Sequence, residues 1–145
     1  MKVVINDCYG GFSLSPEGEQ AYLERKGETP FFYVNRRFDE GGRVDFDKME
    51  RWRPDMEGFV VVYTYLEDLG DFPDNKHERE SARYFSAREI ERNDPDLVAV
   101  VEELGEKADG RHAKLKVVEI PDDVEWEIDE YDGLEHIAET HRVWR

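Results

Sequence analysis

The sequence predicts an α+β domain: a mainly antiparallel sheet with about three helices packed on it. Three observations carry that expectation. Short runs rich in β-branched and aromatic residues recur along the chain, at Val3–Ile5, Phe31–Val34 and Phe59–Tyr65. Leu97, Val100, Val101 and Leu104 fall at i, i+3, i+4 and i+7, which makes one apolar stripe on a helix. Val124, Trp126 and Ile128 alternate with Glu125, Glu127 and Asp129, the period of a strand with one covered face.

In chain order, residues 2–6 read as a strand and Ser15 as an N-cap. Pro16 then sits at the first helical position, and Glu17 is favoured by the positive helix end. That helix is expected to run to Lys26 and to stop at Gly27. Residues 30–35 read as a strand, residues 36–57 as irregular with Trp52 an isolated anchor, and residues 58–65 as a central strand. Residues 67–83, with Gly70, Pro73 and Asp74-Asn75, read as a long surface loop. Asp94-Pro95 opens the second helix, which ends near Asp109-Gly110. The apolar residues of 113–120, the turn Pro121-Asp122-Asp123 and the alternation to Asp129 predict a hairpin over 113–129. Asp132 with Glu135 three residues later has the spacing of a capping box, and predicts a last helix over 133–142. No repeat or linker interrupts the chain, so residues 1–145 read as one domain with a variable charged middle region at about 36–85.

Composition bounds the function. There are 36 acidic residues against 20 basic ones, for a formal charge of −16. A field of that sign repels nucleic acid and anionic membranes and attracts basic protein surfaces, so direct nucleic-acid binding and membrane association are not expected. No stretch has the roughly 20 apolar residues of a membrane span, and the N-terminal apolar run is too short for a signal peptide, so a cytoplasmic location is expected. A single cysteine excludes a disulfide framework within the chain and any multi-cysteine zinc site. Nothing in the sequence specifies an oligomeric state.

Two constellations stand out. The first is the loop Asp7, Cys8, Tyr9, Gly10, Gly11 and Ser13, between a strand and a helix start. Such a loop can aim backbone N–H groups at a carboxylate or phosphate, although it holds no basic residue and lacks the lysine of a phosphate-binding loop. The alternative is a tight turn. The second is the segment 119–135, with nine acids and no base. On an extended strand Glu125, Glu127 and Asp129 share one face at intervals of about 6.6 Å. Such a row can imitate a phosphate backbone and occupy a basic groove of another protein, or simply keep an edge strand solvated. His136 and His141 are five residues apart and cannot chelate one metal from a single helix face. No metal set and no cofactor motif is read. Asp7, Glu127, Glu130, Asp132 and His136 are candidates for acid–base work, and Cys8, Glu130 and His136 would meet if the hairpin packed beside the first strand.

The segments Ile5–Ser15 and Leu115–Glu139 resemble a family of small proteins carried largely by bacteriophages and prophages. The likeness covers about residues 1–27 and 90–144. It carries no activity or site residue. It implies a genetic setting, that of a small accessory protein acting on host machinery or host defence. Three functions follow as expectations. The first is a protein that binds and inhibits a host protein through its acidic surface. The second is a binder of a small anionic or nucleotide-like ligand at the Gly10-Gly11 loop. The third is a small enzyme using Cys8 or a nearby carboxylate.

Overall fold

The computed structural model describes residues 1–37, 44–56, 61–74 and 76–140. It shows an α+β fold in which every described strand pairing is antiparallel. The strands form three small sheets rather than one. The chain divides into two compact units: Met1–Lys26 with the chain from Ala87 onward, and Gly27–Ser86.

The first unit is built on β1 (Lys2–Asn6), α1 (Pro16–Arg25), α3 (Pro95–Leu104), β6 (Leu115–Glu119), β7 (Trp126–Tyr131) and β8 (Leu134–Glu139). Val3, Val4 and Ile5 are buried in succession, as a strand covered on both faces requires. β1 pairs with β6 from Lys2↔Glu119 to Asn6↔Leu115. Helix α1 starts where the sequence places it: Ser15 accepts from the Gly18 amide, and Pro16 takes the first turn. Asp94 caps α3 by accepting from the Asp96 amide, and the stripe of Leu97, Val100 and Val101 is buried. The two helices are tied by Tyr22, whose hydroxyl donates to Asp94 at 2.8 Å, and by Lys26, which lies 2.8 Å from Asp96. Burial, then this bond to Asp94, pushes the Tyr22 phenol up to about 12.

The second unit holds β2 (Phe31–Arg37), β3 (Val44–Arg51), β4 (Tyr63–Tyr65), α2 (Lys76–Ser81) and β5 (Tyr84–Phe85), with sheet order β3-β2-β4-β5. Tyr33 is fully buried. Its hydroxyl accepts the Leu69 amide at 2.9 Å, and its ring packs edge-on against Tyr65. The Arg51 guanidinium bonds Asp68 and Asp71 and lies over the Phe31 and Tyr33 rings.

Several sequence expectations are corrected. Residues 44–51, read as irregular, form β3, because Met49 fills the core and the loop 71–73 bonds the strand's outer edge. Residues 76–81 form a short helix inside the expected loop. Of the expected strand 58–65, residues 63–65 are strand, and 58–60 lie outside the described residues. Trp52 is an anchor, but not an isolated one: its ring packs edge-on against Phe32.

The C-terminal corrections matter most. The expected hairpin 113–129 does not form, because β6 pairs with β1 and β7 turns back onto β8. The expected helix 133–142 is strand over Leu134–Glu139, its last two positions lying outside the described residues. Asp132 and Gly133 both have positive φ, 49° and 87°, the signature of a type I′ hairpin turn. That turn decides the outcome against a helical spacing that Leu134, Ile137 and Ala138 also satisfy.

Candidate functional site

The glycine loop leaves the end of β1, and its geometry begins with Asn6. This side chain is fully buried with its amide completely used. Its Nδ2 donates to the carbonyls of Cys8 and Gly133, while its Oδ1 accepts from the Lys114 amide and the Cys8 thiol. The Asn6 backbone N–H donates to Glu135 Oε1 at 2.8 Å, where another strand's carbonyl would ordinarily sit. Glu135, itself buried, takes Arg92 in a bidentate pair at 2.5 and 2.8 Å, and the Arg92 guanidinium stacks on the Phe12 ring at 3.6 Å. One ion pair therefore locks β1, β8, the loop and the segment before α3.

Gly10 is accounted for by a protein neighbour, and Gly11, with open space where a Cβ would stand, by its positive φ of 94°. A Cβ on Gly10 would fall on the His112 carbonyl, and one on Gly133 would fall on the amide nitrogens of Gly10 and Gly11. Cys8 is half-buried, with its single thiol proton shared between the His112 carbonyl at 3.2 Å and Asn6 Oδ1 at 3.4 Å. Asp7 and Tyr9 are exposed, and the Ser13 carbonyl accepts from Gly110. The expected trio of Cys8, Glu130 and His136 is not brought together. Glu130 and His136 occupy opposite faces of the β7–β8 hairpin by register, Glu130 accepts from the Gly133 amide, and His136 stands 3.5 Å from Asp129.

The acidic row lies on that hairpin. Glu127 and Asp129 share one face of β7 with Tyr131 and are exposed. Glu125 continues the row: its carbonyl accepts the Thr140 amide, which extends the ladder by one pair, and its side chain is exposed. Tyr131 is 75% exposed at the end of the row. The opposite face of β7, with Trp126 and Ile128, borders a cleft of about 480 Å³ whose other wall is the segment 88–92.

Sequence reasoning missed Asn6, Arg92 and Glu135 as a hub, and Tyr131 as part of the exposed face. For Tyr131 the Asp132-Gly133 dipeptide between alternating segments was the available signal, since it marks a two-residue hairpin and thereby sets which side chains share a face. Among the described residues, no helix is long and apolar enough to cross a membrane. No family model, curated protein or solved structure matches the chain.

Proposed function

We propose that this chain is an interaction protein that docks on a basic surface of another protein through the Glu125–Asp129 face of its C-terminal hairpin. The observation that carries the reading is the exposure of Glu125, Glu127 and Asp129 on one side of a two-stranded ribbon, beside a solvent-facing Tyr131. Acids aligned at a strand's repeat supply a directional field, and a large exposed aromatic supplies the apolar anchor that interfaces favour. The −16 charge adds long-range steering toward cations. The resemblance to phage- and prophage-carried proteins makes a host protein, including a defence protein, the expected partner, and inhibition the expected result.

The test is capture from bacterial lysate by immobilised protein, with quantitative mass spectrometry of what is retained. Basic proteins should be retained and then released by raised salt. The triple variant Glu125→Lys, Glu127→Lys, Asp129→Lys should lose them by about tenfold or more. An unchanged set on the variant refutes this face as the docking surface.

A further inference from the structure

The hairpin leaves more than side chains free. β7 has one strand neighbour, β8, and its far side carries no strand among the described residues. The two-residue turn makes Tyr131 and Leu134 a hydrogen-bonded pair, and the register then alternates back along the ribbon. The Thr140 amide donating to the Glu125 carbonyl at 2.9 Å fits the same phase. By that alternation the backbone N–H and C=O groups of Trp126, Ile128 and Glu130 point away from β8. Among the described residues these amides have no hydrogen-bond partner, so β7 presents an open ladder of donors and acceptors.

The two faces beside this ladder differ. On one, Glu127 and Asp129 flank any strand that pairs with β7; on the other, Trp126 and Ile128 border the cleft against 88–92. We propose that the edge of β7 accepts an extended segment of the partner as an added antiparallel strand, with Lys or Arg at alternate positions and apolar residues between them. The basic residues lie opposite Glu127 and Asp129, and the apolar ones lie opposite Trp126 and Ile128. This is strand addition, in which backbone bonds supply affinity and alternate side chains supply selectivity. Charge selects the occupant: a second copy of this chain brings its own acids to the edge and is repelled, whereas a basic strand is attracted.

The inference rests on the acidic-face reading but needs the backbone as well, and the experiment separates the two. The probe is an eight-residue peptide of alternating Lys and Val, titrated into the full-length chain and followed by amide NMR. The Trp126, Ile128 and Glu130 amides should shift and gain protection from exchange. In the antiparallel arrangement the valine amides point at β7 and the lysine amides point away. Methylating the valine nitrogens should therefore weaken binding about tenfold or more, and methylating the lysine nitrogens should leave it within about twofold. A Glu–Val peptide should fail on the natural chain and bind the Glu127→Lys, Asp129→Lys variant. Equal binding of both methylated peptides, or no shift at the three amides, overturns strand addition; acidic docking of a folded partner is then judged by the capture experiment alone.

Discussion

Asn6 has no free hydrogen-bonding group on its side chain, and its backbone amide depends on a carboxylate 129 residues away. That makes Glu135 a sensitive polar residue of the first unit. Replacing it by Gln leaves the Arg92 charge without its partner and should cost about 3–5 kcal/mol, read as a shift in the urea midpoint. Restoring an acid at 135 as Asp should recover little, since the shorter side chain cannot reach both Arg92 and the Asn6 amide. Gly10 is sensitive for a steric reason. Gly10→Ala sets a methyl group on the His112 carbonyl and should destabilise by more than about 2 kcal/mol, whereas Tyr9→Ala, at a 65% exposed neighbour, should change stability by less than about 0.5 kcal/mol. The same denaturation series measures both. Neither the hub nor this contact was legible in the sequence, because Asn6–Glu135 and Gly10–His112 each join residues more than 100 positions apart and nothing local marks them.

The elements were legible to the extent that local rules decide them. Ser15-Pro16 and Asp94-Pro95 start helices where capping chemistry places them, and Val3-Val4-Ile5 is a buried strand. The C-terminal segment was misread because two local patterns competed there. Asp132-x-x-Glu135 has capping-box spacing, and Asp132-Gly133 has the turn dipeptide; Glu135 is drawn instead to Asn6 and Arg92. The acidic row was legible because strand alternation fixes it whichever strand β7 pairs with, while the open edge depends on that choice of neighbour. The α1–α3 pair carries its own pH dependence. Burial works upward on Asp94, yet the Tyr22 hydroxyl, the Asp96 amide and Lys26 hold it below the ordinary value; Lys26 and Arg25 do the same for Asp96. Depressed folded values mean that this stability is present above the unfolded pKa near 4 and is lost as pH falls through the folded ones. Bonds to Asp96 and Asp94 raise Lys26, so its share is full below its unfolded pKa and disappears as pH rises through the folded one. Melting temperatures should therefore decline on both flanks, and Asp94→Asn, which can still cap the helix, should flatten the acid flank.

At the scale of the molecule, 36 acids against 20 bases make self-repulsion a general load on the folded state. Moderate sodium chloride should raise the melting temperature by screening it, even though local pairs such as Arg51 with Asp68 and Asp71 weaken. A fall in melting temperature would show that the local pairs outweigh the net field. The path of the chain has a temporal consequence. The strands of the second unit all lie within Gly27–Ser86, but β1 finds β6 only at residues 115–119 and Glu135 later still. At roughly 5–20 residues per second on the ribosome, the roughly 115 residues from Val3 to its partner Val118 take roughly 6–23 s to synthesise. Throughout that interval Val3-Val4-Ile5, the first strand to emerge, waits unpaired in the nascent chain, open to chaperones and to wrong partners, while the unit encoded between its halves has time to close.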